Sequence, residues 1–185
     1  MPLNSNKLFI KYLNDVFVET GTFRGVGLEY ALSAGFKHLC SVEIVEQNYK
    51  NCCNKFNEEI KSGRIKLFLG ASEDRLWDII KDIKTPITFW LDAHYSGKTK
   101  TYTTGKSDIK SPILREIDIV SQHSIKNHTI LIDDRRDFGT HNFDGVSEKQ
   151  IINHIKNINN GYNIVYETGS DKRDLFKNDV LVAYI

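Results

Sequence analysis

The chain predicts an α/β fold built on a doubly wound, mostly parallel sheet, and three observations carry that expectation. Apolar runs of strand length alternate with apolar stripes at helical spacing along most of the 185 residues. The first such run, Val16-Phe17-Val18-Glu19, enters a glycine-punctuated turn, Thr20 to Gly27, that opens onto the helix-forming run Leu28 to Leu32. Four of the first five runs end in an acid: Glu19, Glu43, Asp92 and the pair Asp133-Asp134.

Each element has its own justification. Leu8, Phe9, Tyr12 and Leu13 recur at helical spacing within residues 1–14, predicting a short helix against the sheet or over the site. His38 to Glu43 is the second strand. Tyr49, Cys52, Cys53, Phe56 and Ile60 then form one stripe of an amphipathic helix. Ile65 to Leu69 is the third strand, followed by Gly70-Ala71-Ser72-Glu73-Asp74 and by a helix marked by Leu76, Ile79, Ile80 and Ile83. Ile87 to Asp92 is the fourth strand. Residues 93–111, rich in lysine and threonine and without periodicity, are long for a connection and predict a mobile substrate loop. Pro112 suits the first position of a helix continued by Ile113, Leu114, Ile117 and Val120. Thr129 to Ile132 is the fifth strand, and Ile151, Ile152, Ile155 and Ile158 stripe another helix. Tyr162 to Glu167 and Val180 to Ile185 close the chain as two strands around a polar turn. With no repeat, linker or low-complexity tract, residues 1–185 are expected to form one domain.

Bulk composition narrows the function classes. Lys and Arg number 25 against 24 Asp and Glu, a net charge of +1 that gives no electrostatic case for nucleic acid as the main partner. Three cysteines, two of them adjacent, are no disulfide framework and point to a reducing, cytoplasmic setting. No apolar run is long enough to cross a bilayer, and no membrane partner is expected.

The chemistry concentrates at the strand ends. In a parallel sheet these ends share one edge, where ligands bind. Singly, each acid there is an ordinary helix cap or solvated charge. Together, five carboxylates on one rim call for something positive between them. The glycines Gly21, Gly25 and Gly27 do not follow the G-x-G-x-x-G dinucleotide spacing, and Glu19 just before them would repel a pyrophosphate, so a nicotinamide-dependent oxidoreductase is disfavoured. Glu19 suits a cationic amino group instead. Glu43, one βα unit further on, occupies the place where an acid takes the ribose hydroxyls of an adenosine-containing cofactor. Asp92, Asp133 and Asp134 are hard oxygen donors suited to Mg²⁺, whereas no Cys or His pair has zinc spacing.

Taken in order, Glu19-Thr20-Gly21-Thr22-Phe23-Arg24-Gly25, Val42-Glu43-Ile44, Gly70 to Asp74, Leu91-Asp92 and Asp133-Asp134 resemble the motifs of class I S-adenosylmethionine-dependent methyltransferases. More narrowly, they are similar to the metal-dependent O-methyltransferases of the catechol and macrocin/mycinamicin sugar types. The resemblance covers nearly the whole chain. It implies a Rossmann-like sheet of seven strands with an antiparallel C-terminal pair, S-adenosyl-L-methionine as cofactor with S-adenosyl-L-homocysteine as product, and Mg²⁺ or a similar divalent ion. By position, it puts Glu19, Gly21, Thr22 and Gly25 beside the methionine part, Glu43 and Ile44 at the ribose, and Gly70, Ala71 and Ser72 at the adenine. Asp92, Asp133 and Asp134 fall at the metal. The second acid of the last pair is the sugar-type choice, which favours a sugar or glycan hydroxyl.

Methyl transfer to a hydroxyl needs the oxygen activated, by the metal and by a base. His94, two residues past Asp92, is the residue proposed for the base, with Tyr95 and Lys98 behind it; stacking near the adenine is its other reading. The segment Ala93 to Lys98 departs from both subgroups, so base and acceptor stay open. His141, after the acid pair, is a further residue placed to face substrate, while the other histidines read as structural or exposed. Arg135 and Arg136 either offset the acid pair or bind a polar acceptor. The competing readings are a methyltransferase acting on a phenol, amine or nucleic acid, and a non-catalytic cofactor-binding partner domain. A homodimer completing the pocket is also open.

Overall fold

The computed structural model describes residues 5–94, 111–168 and 176–185, with side chains from residue 7 onward. The elements run α1 (Ser5–Lys11), β1 (Val16–Thr20), α2 (Val26–Ala34), β2 (His38–Glu43), α3 (Glu46–Lys55), α4 (Asn57–Lys61), β3 (Ile65–Leu69), α5 (Ser72–Ile80), β4 (Ile87–Leu91), α6 (Ile113–Gln122), β5 (Thr129–Ile132), α7 (Glu148–Ile158), β6 (Asn163–Glu167) and β7 (Val180–Tyr184). Two 3₁₀ turns, Arg135–Asp137 and His141–Phe143, lie between β5 and α7. The expected substrate loop and the residues Tyr95 and Lys98 fall, from 95 to 110, outside the described residues.

The seven strands form one sheet in the order β3-β2-β1-β4-β5-β7-β6. The first five are parallel, and β7 is antiparallel to both β5 and β6, giving the expected doubly wound sheet with an antiparallel C-terminal pair. Strand order reverses between β1 and β4, where a ligand crevice opens in folds of this kind.

Alternation along the buried strands divides the core between the two faces. Val16 and Val18 of β1, with Phe89 and Leu91 of β4 and Ile130 and Ile132 of β5, pack under α5, α6 and α7. Phe17, Trp90 and Leu131 point the other way and meet α1 and α2. There Phe9 stands edge-on to both Phe17 and Trp90 at ring distances of 5.1 and 5.2 Å. Helix α1 therefore covers the sheet face rather than the strand ends, and Trp90 is core.

Local sequence explains most boundaries. Helix α2 starts after Gly25 and stops at Gly35, both left-handed, the latter donating to Ala31 and Leu32 carbonyls. Helix α7 opens with a capping box of Ser147 and Gln150. Two expectations need correction. The stripe from Tyr49 to Ile60 is two helices, because Phe56 leaves helical geometry (φ −107°, ψ 27°) to bury its ring. Pro112 stands one residue outside α6, as its cap. Among the described residues no helix is long and apolar enough to cross a membrane.

At the edge opposite the strand ends, His123 and His128 form a buried brace. His128 Nδ1 accepts from the Ile87 amide at 3.1 Å, and its Nε2 faces His123 Nδ1 at 3.1 Å. His123 Nε2 lies 3.1 Å from the carbonyls of both Ile80 and Ile83, which requires it to be the donor. The two rings are thus structural, as expected. His38 is exposed, and His154 pairs with Asp118 at 2.7 Å.

Candidate functional site

The glycine turn after β1 is folded against the end of β4. Gly21 has φ +83°, and a Cβ there would come within 2.7 Å of the Asp92 carbonyl oxygen, so only glycine lets the two loops meet. Gly21 and Thr22 donate to the Val42 carbonyl, tying the turn to β2 as well. Gly25, at φ +73°, lies against the ring of Phe56.

Glu19 lies beneath this turn, 2 % exposed. Its Oε2 accepts from Ser41 Oγ at 2.6 Å, and Ser41 Oγ is 2.6 Å from Thr22 Oγ1. With Ser41 giving its single proton to Glu19, Thr22 is the donor in the Thr22–Ser41 pair. The other carboxylate oxygen fills the space where Gly27 would carry a side chain. Burial, with Asp92 and Glu43 nearby, pushes the Glu19 carboxyl up to about 8 against the pull of Ser41. The structure places this acid under the start of α2 rather than on the open rim.

Glu43 shapes the same turn. Its two oxygens accept from the amides of Phe23 at 2.6 Å and Val45 at 2.7 Å, so the end of β2 fastens the glycine loop. Burial raises its pKa, while those amides pull it down. The Asn48 side chain and the Ile44 amide also face the carboxylate and lower it further. Ile44 is exposed beside it. Gly70, at φ +142°, and Ala71 lead into Ser72 at the start of α5, on the same edge.

The β4 and β5 ends come together through His94. Its Nδ1 lies 3.3 Å from Asp92 and its Nε2 3.0 Å from Asp134, with the ring stacked on Phe143 at 5.2 Å. Burial lowers the imidazole pKa, but the hydrogen bond to Asp92 and the charges of Asp92, Asp134 and Asp133 outweigh it and the net shift is upward. The ring thus bridges two carboxylates whose charge favours its protonated form.

Asp134, at φ +55°, also pairs with Arg136, whose guanidinium reaches Asp179 at the start of β7. Asp133 Oδ1 accepts from the Asp134 amide at 2.9 Å. Burial, with Asp92 next, raises both Asp133 and Asp134, the latter to about 6. Arg136 thus offsets the acid pair. Arg135 instead bonds Glu148 at 2.5 Å. His141 is exposed.

The three expected metal acids do not converge as a set. Among the described residues, ligand atoms within 4.8 Å of one another occur in two groups, Asp92 with His94 and Asp134, and Asp133 with Asp134 and Asp179. The first is a mixed nitrogen and oxygen donor set, which suits Mn²⁺ or a later divalent ion as well as it suits Mg²⁺.

Sequence reasoning overlooked two residues here. Asp179 gives no local signal, since its role needs β7 beside β5. Glu116 gave one: it breaks the otherwise apolar stripe Ile113, Glu116, Ile117, Val120 on α6. It is 1 % exposed. Its Oε1 has no hydrogen-bond partner among the described residues, while the Ser72 and Thr20 hydroxyls face the carboxyl. Burial pushes it up to about 7. It lines a shallow cleft with room for about one water, together with Asp92, His94, Phe143 and Ile113.

No protein-family model matches the chain, and no curated protein does. Solved structures do, through the fold. The O-methyltransferase TomG from Streptomyces achromogenes, involved in tomaymycin synthesis and solved with SAM, is 12% identical with a TM-score of 0.61 over 97% of this chain and 77% of that one. An O-methyltransferase from Bacillus cereus in complex with SAH is 12% identical, TM-score 0.60, over 97% and 78%. The methyltransferase PaMTH1 from Podospora anserina, solved with SAH, is 11% identical, TM-score 0.62, over 97% and 75%. The fold is the one these proteins share, Rossmann-like with an antiparallel C-terminal strand pair.

Proposed function

We propose that the chain is an S-adenosylmethionine-dependent O-methyltransferase acting on a hydroxyl of a small molecule, most readily a sugar or glycan. One observation supports this best: the glycine turn of β1 packs on the end of β4 at the strand-order reversal, with Glu43 on one side and Asp92, His94 and Asp134 on the other. That layout suits a cofactor lying across the β2, β1 and β4 ends with its reactive end toward Asp92. The solved proteins of this fold that hold SAM or SAH extend the same reading to this chain.

In this reading Gly21, Thr22 and Gly25 let the backbone close on the methionine part, over the buried Glu19. Glu43 and Ile44 meet the ribose, and Gly70, Ala71 and Ser72 border the adenine. The cofactor, when bound, supplies an electrophilic methyl on a sulfonium. Asp92 and Asp134 would hold a divalent ion, with His94 as third donor or, once the ion has neutralised the acids, as the base that takes the hydroxyl proton. Asp133 orders the Asp134 backbone, and Arg136 and Asp179 fix its side chain. The near-neutral charge favours a small acceptor over nucleic acid.

Calorimetric titration with S-adenosylhomocysteine, with Mg²⁺ or Mn²⁺ and again with EDTA, tests the reading. Binding at about micromolar Kd, roughly −8 kcal/mol, is expected. Absence of heat and of any thermal shift under all conditions would overturn it.

A further inference from the structure

We infer that His94 is a direct ligand of the site's divalent ion, taking the place that the sequence motifs give to Asp133, and that this nitrogen donor makes the site select Mn²⁺ and the later first-row ions over Mg²⁺. This rests on the metal-assisted reading above and takes the ring as a ligand rather than as the base.

Three observations lead there. Grouping is the first. Asp92, His94 and Asp134 offer ligand atoms within 4.8 Å of one another, whereas Asp133 falls in a separate group with Asp134 and Asp179. That second group already holds a positive charge, because the Arg136 guanidinium pairs with Asp134 Oδ1 and with Asp179 Oδ2. Asp133 Oδ1 accepts from the Asp134 amide at 2.9 Å. Asp134 Oδ2 is left facing His94 Nε2 at 3.0 Å, while Asp92 Oδ1 faces Nδ1 at 3.3 Å. Preorganisation is the second. The His94 side chain is only 9 % exposed and its ring is stacked on Phe143, so packing fixes its orientation before any ion arrives. The third lies outside the cluster. Glu116 is 1 % exposed on the wall of the cleft it shares with Asp92 and His94, and its Oε1 has no hydrogen-bond partner among the described residues. Native proteins pair nearly all such atoms. The cleft has room for about one water. A cation on the Asp92 side would turn the protons of that water away from itself, toward the acceptor that lacks a donor.

Two other arrangements compete. In one, a protonated His94 is itself the positive charge between Asp92 and Asp134, and no ion binds. In the other, carboxylates alone hold the ion and His94 stays off it as the base. An all-oxygen site suits Mg²⁺, whereas imidazole suits the later ions.

The test uses Mn²⁺ as ligand and as probe, on the protein without cofactor. A directly coordinated imidazole nitrogen modulates the electron spin echo of Mn²⁺, and the wild type is expected to show that modulation. Calorimetry is expected to give Mn²⁺ binding at least tenfold tighter than Mg²⁺ binding. H94F keeps a ring against Phe143 but offers no donor, so the modulation should vanish and the preference should fall to threefold or less. Circular dichroism establishes that the variant is folded. Bound Mn²⁺ without nitrogen modulation in the wild type overturns the inference whether or not the variant folds, and so does an absence of Mn²⁺ binding. Modulation or preference that persists in H94F places the ion on another residue and overturns it as well. S-adenosylhomocysteine binding without imidazole coordination removes this inference alone, whereas imidazole-bound Mn²⁺ in a protein that binds no S-adenosylhomocysteine removes the cofactor reading and leaves the metal site standing.

Discussion

Replacing Gly27 by alanine is a change whose sign the structure reverses. Gly27 lies in the first turn of α2, where alanine ordinarily stabilises a helix by about 0.5–1 kcal/mol. Here the new methyl would overlap Glu19 Oε1 and stand 3.1 Å from its Cδ. The carboxyl is 2 % exposed and has no open space to move into. Overpacking of this kind costs about 1–3 kcal/mol. Pulling the carboxyl, which its raised pKa keeps neutral near pH 7, off Ser41 Oγ, now 2.6 Å away, forfeits about 0.5–1.5 kcal/mol more. G27A should therefore destabilise the protein by about 1–4 kcal/mol, the helix gain included. In an E19A background the obstacle is gone, and the same substitution should be neutral or stabilising by up to about 1 kcal/mol. Urea unfolding of the wild type, G27A, E19A and the double variant, followed by circular dichroism, completes the cycle. A cost for G27A that is the same in both backgrounds would refute the argument that Glu19 occupies the place of the missing side chain.

Three further outcomes are expected. G21A, at φ +83° and 2.7 Å from the Asp92 carbonyl oxygen, should part the β1 and β4 loops and weaken S-adenosylhomocysteine binding at least tenfold by calorimetry, with the far-ultraviolet spectrum unchanged. D134A should abolish methyl transfer in an assay with labelled cofactor while leaving cofactor affinity within about threefold, and unchanged turnover would sink the metal site. Burial, with His123 and Lys126 nearby, lowers His128 from 6.5 to about 4, so the folded state binds fewer protons there than the unfolded chain. Its contribution, about 3 kcal/mol, is full above pH 6.5 and is lost as pH falls toward 4. Glu19 and Glu116, raised to about 8 and about 7, act in the opposite sense, their contribution being lost as pH rises through those values. Comparing the pH dependence of urea midpoints in the wild type and H128Q isolates the histidine. Equal slopes between pH 6.5 and 4 would show that the brace does not hold a neutral His128.

The alternation of buried strands with striped helices, the glycine turn after β1 and the acids at four strand ends were all legible in the sequence. Each is a local property: side-chain period, steric freedom at Gly21 and Gly25, or an acid where an apolar run stops. Even Glu116 left a local trace, as the acid on an apolar stripe. What those acids do was decided by tertiary structure. Phe56 breaks its helix because burying the ring outweighs propensity. Glu19 turns under α2 because Gly27 leaves room for it, a fact that spacing along the chain cannot express. His94 sits between Asp92 and Asp134, and Arg136 between Asp134 and Asp179, because β4, β5 and β7 are neighbours in the sheet although far apart in sequence. Sequence could place carboxylates on one rim, since strand ends share an edge in any parallel sheet. Which of them pair, which are buried and which stay open depends on distances of about 3 Å between groups far apart in the chain, such as His94 and Asp134 or the Arg136 amide and Asp179, and only the packed structure determines those.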